Sequence, residues 1–313
     1  MDNKQTTNLS TKLVNKCVDK SGLKAWGATR PELPEKWKER FQKWLKKGYY
    51  ADMSWIRKNL PSRVNVKLKF PWCKSVLVVA DNYYSRPIKK PDIPYVSIYA
   101  HGQNYHQLVA EKLEKVARCL KIKYPDLKYK SYVDTGPVLE RAYAAEAGLG
   151  WIGKNNMIIV DKLGSYCFLG ILLLNAQMDS YGSPKTDKCG DCKLCIENCP
   201  TGALEGPYIH NSRKCISYLT IEKKGGFNQR EKALIDRSLY GCDKCLEICP
   251  WNKKWATRTE DKRYYDRKEY LKKSIKAWEQ ISRREFREVF SDSVFKRLKY
   301  RRLKRNLKAI KDS

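Results

Sequence analysis

The chain has 313 residues, 42% of them apolar and 31% charged, and its 64 Lys and Arg against 34 Asp and Glu give a formal net charge of +30. Enough apolar residues are present for two or three packed units, which excludes a disordered chain, and no stretch reaches the roughly 18 apolar residues that a spanning helix needs. The first residues, MDNKQTTNLSTKL, lack the apolar core of a secretory signal, so a cytoplasmic protein without a membrane partner is expected. A positive field of this size draws polyanions, nucleic acid first, although solubility alone accounts for the same charge.

Residues 34–60 carry Trp37, Phe41, Trp44 and Leu45 at helical spacing. Val76–Asp81 is a short buried-strand run, and His106–Ile122 repeats Leu108, Val109, Leu113, Val116 and Leu120 with a helical period. Tyr129–Val133 reads as a strand. Asp134-Thr135-Gly136-Pro137 follows as a turn and helix start, with Pro near the first helical position and Val138–Ala147 as the helix. Met157–Val160 and Phe168–Leu174 are two further strand runs around a turn at Gly164-Ser165. Strands alternate with helices, so residues 1–180 are expected to form one α/β (α+β) domain. Residues 181–255 show little regular pattern, and 256–313 read as a basic helical tail, densest at KRLKYRRLKRNLK (296–308).

Eight of the twelve cysteines fall between Cys189 and Cys249. Cys17, Cys73, Cys119 and Cys167 are scattered and read as buried apolar fillers, since disulfides are rare in the cytosol. The first motif is Cys189-x2-Cys192-x2-Cys195-x3-Cys199-Pro200; the second is Cys242-x2-Cys245-x3-Cys249-Pro250, with Cys215 between them. A C-x2-C-x2-C-x3-C-P run is the bacterial ferredoxin signature, in which three thiolates hold one [4Fe–4S] cubane and the fourth serves the other cluster. One cluster is therefore assigned Cys189, Cys192, Cys195 and Cys249. The other takes Cys199, Cys215, Cys242 and Cys245, with Cys215 in place of the first cysteine that the second motif lacks. Zinc sites use cysteine pairs separated by a loop, a pattern that four cysteines in eleven residues do not suit.

Paired clusters pass single electrons, and a pure carrier needs no separate α/β domain, so an electron acceptor is expected there. Gly148-Leu149-Gly150-Trp151-Ile152-Gly153 fits G-x-G-x-x-G, but it follows a helix and precedes a strand, the reverse of a dinucleotide site. Asp134 closes a strand before a helix, where active-site groups collect in α/β folds; by spacing alone it reads equally as a helix N-cap.

Together these blocks resemble the epoxyqueuosine reductase family. The resemblance is carried by Val133–Arg141 (VDTGPVLER), Gly148–Asn155 (GLGWIGKN), the first cysteine motif with Thr201-Gly202-Ala203-Leu204, Cys215–Glu222 (CISYLTIE), Cys249-Pro250-Trp251-Asn252 and the weaker Gly102-x2-Tyr105-His106. It implies a cobalamin- and [4Fe–4S]-dependent enzyme, related to reductive dehalogenases, that reduces epoxyqueuosine to queuosine at the wobble position of tRNA, with electrons from an external donor. It implies Asp134 as the proton donor for the leaving oxygen; a free Asp has a pKa of about 3.9, so such a donor needs desolvation. Corrinoid contacts are implied at Arg57, Ser97, Asp134, Lys154, Asn155, Asn156, Gly164, Ser165, Ser217 and Thr220. For the Ser and Asn among them, local hydrogen-bonding caps are the competing explanation.

A tRNA anticodon stem-loop would explain the charge, each phosphate contact adding a salt-dependence slope of about −0.7 on single strands, with Tyr and Trp stacking on splayed bases. Many family members continue into a helical-repeat domain. Here the chain ends about 60 residues after Cys249, which leaves room for only the start of one and puts the basic tail forward for tRNA. Nothing in the pattern demands more than a monomer. The competing readings are a reductase of a small molecule, as in reductive dehalogenases, and a non-enzymatic ferredoxin-type carrier.

Overall fold

The computed structural model describes residues 8–311. Its centre is a four-stranded sheet of β1 (Ala25–Thr29), β2 (Ser75–Asn82), β3 (Tyr129–Tyr132) and β4 (Cys167–Leu174), in the order β1-β2-β4-β3. All three pairings are antiparallel, so of the two forms the α+β one is realised. Every residue of β2 and β4 is buried, because both faces of the sheet are covered.

Leu77, Val79, Leu172 and Leu174 pack against α1 (Thr11–Ser21) and α2 (Tyr105–Lys123). Val76, Val78, Ala80, Leu169, Ile171 and Leu173 face α3 (Glu140–Glu146) and a hairpin of Gly150–Ile152 with Ile158–Val160. This period-2 division is why β2 and β4 read as continuous apolar runs, and each buried Val or Leu contributes about 1.5–3 kcal/mol. The Gly148–Gly153 run leads from α3 into that hairpin, the order already expected.

Three expectations change. The helical spacing over 34–60 becomes helix only at Glu35–Lys46; a short 3-10 turn, Ser54–Arg57, follows further on. The helix expected to start at Pro137 begins at Glu140, and Asp134 caps nothing; it sits six residues earlier in the left-handed region, with φ 55°. Cys17 and Cys119 are not fillers but a disulfide, 102 residues apart in sequence, joining α1 to α2. Their helices lie side by side on one sheet face, which brings the two apolar-face cysteines together. Cys73 and Cys167 are free and buried.

The region from 256 onward is helical, and it is built into the protein. Trp278, Phe286, Phe290, Phe295, Leu303 and Leu307 share one apolar cluster with Tyr218, Leu219, Leu239 and Tyr240 and with Val96 and Ala100. Asn306 is fully buried and donates to the carbonyls of Thr220 and Leu239, both at 2.9 Å. Ser238–Tyr240 also pairs in parallel with Tyr95–Val96, a second tie between the cysteine region and the sheet region.

Candidate active site and cluster pockets

Each cysteine motif carries a single helical turn, Leu194–Glu197 around Cys195 and Lys244–Glu247 around Cys245. Cys189, Cys192, Cys195 and Cys249 line one pocket together with Lys154, Asn155 and Trp251. Burial pushes the Cys195 thiol up to about 11, and Cys249, Cys189 and Cys192 add to the rise. In the other group, burial raises the Cys245 thiol well above its ordinary range, with Cys242, Cys215 and Cys199 among the contributors. Burial likewise pushes Cys242 up to about 12, with Cys215 next to it.

Cys189, Cys192, Cys195 and Cys249 thus share one pocket, while Cys199, Cys215 and Cys242 act electrostatically on Cys245. Cys195, Cys242 and Cys245 held this way resist ionisation; a cationic iron–sulfur core is the kind of group that reverses the cost. Among the described residues no three His, Cys, Asp or Glu are packed as ligands of a single ion.

Asp134 is exposed at the end of β3. Its Oδ2 accepts a hydrogen bond from the Tyr105 hydroxyl at 2.7 Å, and its N–H donates to Glu140 Oε1 at 2.6 Å. The Tyr105 ring stacks on Phe168 with 4.0 Å between centroids. Burial raises the Glu140 carboxyl well above the usual carboxylate range, and the Asp134 charge adds to this. Tyr105 and His106 gave only the weak Gly102-x2-Tyr105-His106 signal in sequence, and Glu140 was visible only as part of a block.

The expected corrinoid contacts differ in their local hydrogen bonding. Ser165 N–H donates to Asn252 Oδ1 at 2.6 Å, and Gly164 before it, at φ 75°, has no room for a Cβ, which would lie 2.5 Å from that oxygen. The Ser165 hydroxyl and the Asn156 amide nitrogen are buried without a partner among the described residues. Such groups are costly when unmet, so these two fit a polar ligand. Ser97 and Thr220 are satisfied internally: Ser97 donates to Asp243 Oδ1 at 2.6 Å, and Thr220 donates to the Ile216 carbonyl at 2.8 Å. Lys154 donates to the Gly190 carbonyl and Asn155 to the Cys245 carbonyl at 3.3 Å, both beside the cysteines. Arg57 is exposed and reaches the Tyr50 hydroxyl at 3.4 Å; Ser217 is half-buried in Ile216–Ile221.

Sequence reasoning missed Asp243. It lies inside the second motif and accepts from Ser97, Tyr95 and the Ile98 N–H, which pins that motif to the sheet region.

Residues 63–135 match the family described as epoxyqueuosine reductase QueG, DUF1730, and residues 188–252 match the 4Fe-4S double cluster binding domain. An epoxyqueuosine reductase of Cellulophaga algicola is 33% identical over 290 residues, 93% of this chain and 94% of that one. The chain belongs to the epoxyqueuosine reductase family. The Escherichia coli epoxyqueuosine reductase is 34% identical over 91% of this chain and 76% of its own. A solved epoxyqueuosine reductase with an epoxyqueuosine-modified tRNA-Tyr stem loop superposes with a TM-score of 0.85, at 31% identity, covering 96% of this chain and 80% of that one. A Bacillus subtilis epoxyqueuosine reductase, solved with its Asp134 catalytic loop swung out of the active site, gives 0.84 at 30% identity over the same shares. Membership makes the protein an oxidoreductase with a double 4Fe-4S binding region. Among the described residues no helix is long and apolar enough to cross a membrane.

Proposed function

We propose that this chain reduces epoxyqueuosine to queuosine at the wobble position of tRNA. The observation that carries the reading is a four-thiol pocket in the same molecule as a side-chain-held aspartate, in a chain similar over nearly its whole length to an epoxyqueuosine reductase solved with a modified tRNA stem loop. The reaction takes up two electrons and two protons: the epoxide oxygen leaves as water and an alkene remains. Two one-electron clusters suit a two-electron demand. Cluster one would be held by Cys189, Cys192, Cys195 and Cys249, and cluster two by Cys199, Cys215, Cys242 and Cys245.

Cobalamin is the proposed second cofactor, and when bound it supplies a strongly reducing metal centre for breaking the carbon–oxygen bond. Asn156 and Ser165 are the residues proposed to meet its polar edge, since their side-chain atoms are buried and unmet. Asp134 would give the departing oxygen its proton, and Tyr105 holds that side chain in place. The surplus of 64 basic over 34 acidic residues favours tRNA as the partner. Residues 256–313 are proposed to share in that contact, next to a catalytic unit of 1–180 and a cluster unit of 181–255. An external donor, a cytoplasmic setting and a monomeric state complete the reading.

The test is mass spectrometry of an epoxyqueuosine-bearing anticodon stem-loop after incubation with reduced, cobalamin-loaded protein. Loss of one oxygen is expected. Asp134→Asn should bind corrinoid, read from its absorption spectrum, and lose turnover by about 10²–10⁴-fold, the range for a removed general acid. Full turnover by Asp134→Asn would remove the proton-donor role.

A further inference from the structure

The peptide unit joining Val133 to Asp134 lies just beyond the last paired residue of β3, Tyr132, so the sheet ladder does not hold it. Two side chains do. The Val133 carbonyl accepts from His106 Nδ1 at 2.9 Å, and the Asp134 N–H donates to Glu140 Oε1 at 2.6 Å. Both polar groups of one peptide plane are therefore fixed by side chains from the starts of two helices, α2 and α3.

Asp134 follows in the left-handed region, φ 55°, a conformation that costs energy for a residue with a Cβ and persists where surroundings enforce it. The loop is tight. A Cβ on Gly136 would lie 2.3 Å from the Tyr132 ring. Glu140 opens α3, yet its carboxylate reaches back six residues to Asp134, so its role is not that of an ordinary first-turn acid.

We infer that Glu140 and His106 are positioning residues, which lock the Val133–Asp134 peptide and thereby aim the Asp134 carboxylate at the reacting oxygen. Tyr105 then fixes the rotation of the carboxylate itself, so the group is held at three points. Glu140 needs only an oxygen lone pair for this task. A neutral amide oxygen supplies one, and His106 needs only a donor at Nδ1, which an asparagine amide supplies. This rests on the reading of Asp134 as proton donor.

The experiment uses the full chain, reconstituted with iron–sulfur and cobalamin. It measures single-turnover conversion of the modified stem-loop, stem-loop affinity, and hydrogen exchange of the Asp134 amide. Glu140→Ala should slow conversion about 100-fold, the scale of a small misplacement, with stem-loop affinity unchanged and the Asp134 amide exchanging faster. Glu140→Gln should recover most of the rate and the protection. His106→Ala should slow conversion in the same direction and His106→Asn restore it, and this pair carries the test if Glu140→Ala does not fold.

Wild-type rate in both alanine variants, or Glu140→Gln as slow as Glu140→Ala, overturns the inference. The two failures are distinguishable. If Asp134→Asn turns over fully while Glu140→Ala still frees the amide, the donor reading has failed. If Asp134→Asn is dead while Glu140→Ala is unaffected in rate and exchange, the positioning inference has failed.

Discussion

The sheet region and the first cysteine quartet are held together by different means. The sheet is packed on both faces by some of the most deeply buried aliphatic side chains in the molecule, Val76 to Val79 and Ile171 to Leu174. Around the first quartet the buried apolar cluster is small, with Trp151, Ile159 and Cys249 at its centre. The sheet region can hold its shape through apolar burial alone. The first quartet's cysteines lie mostly in short turns around one pocket, so the cluster proposed there would take the place of a core.

Removing that group should therefore give the largest effect and a local one. Anaerobic reconstitution is expected to load about eight irons per chain, four for each [4Fe–4S] cluster. Chelating them should cost the cysteine loops a stabilisation on the order of 10 kcal/mol, by analogy with structural metal sites. Hydrogen exchange should then show protection lost over residues 189–199 and 242–249 while β2 and β4 keep theirs. Equal loss in both regions would mean that the sheet depends on the clusters and that the contrast is false.

The next effect lies at a polar contact inside the well-packed region. Lys112, on α2, is buried and pairs with Asp81 of β2 at 2.5 Å and with Asp261 at 3.1 Å, and the Tyr264 hydroxyl also donates to Asp81. Burial raises the Asp81 carboxyl, and Lys112 is the main group opposing the rise. Lys112→Met leaves two carboxylates without their shared cation, and about 3–5 kcal/mol should be lost in urea unfolding. Adding Asp81→Asn should return part of it, because the uncompensated charge causes most of the damage. A double variant no better than the single one would place the cost in packing.

What the sequence revealed and concealed follows the same division. The grouping of Cys249 with the run that begins 60 residues earlier at Cys189 was legible because cluster chemistry fixes cysteine spacing along the chain, and the four line one pocket. The central strands β2 and β4 were legible because burial on both faces writes a plain apolar run, whereas β1, Ala25–Thr29, went unread because its short stretch carries no such run. The conformation of Asp134 was not, since the contacts that enforce it come from Tyr105, His106 and Glu140, and a strand-turn-proline pattern looks like an ordinary helix start. The aromatic core of the C-terminal region was hidden by charge: Phe286 and Phe290 are at helical spacing, but the surrounding Lys and Arg drew attention to the surface.

The disulfide was hidden for another reason, and its removal should give the smallest of these effects. Cys17 and Cys119 each sit on the apolar side of an amphipathic helix, where a lone cysteine reads as filler. Only the pairing of α1 with α2 on the same sheet face makes them neighbours. The bond closes a long loop, 102 residues in sequence, and restricts the unfolded chain, so Cys17→Ala should lower stability by about 2–4 kcal/mol. Since Cys17 is almost fully buried and its alanine replacement leaves an apolar contact, the folded sheet and both quartets should be unchanged, with cluster absorbance intact. Wild-type protein treated with a thiol reductant should melt like Cys17→Ala, while the variant should not respond to the reductant. If reductant shifts both proteins equally, the stabilisation comes from the cluster thiols, and the sheet region is less self-sufficient than its packing indicates.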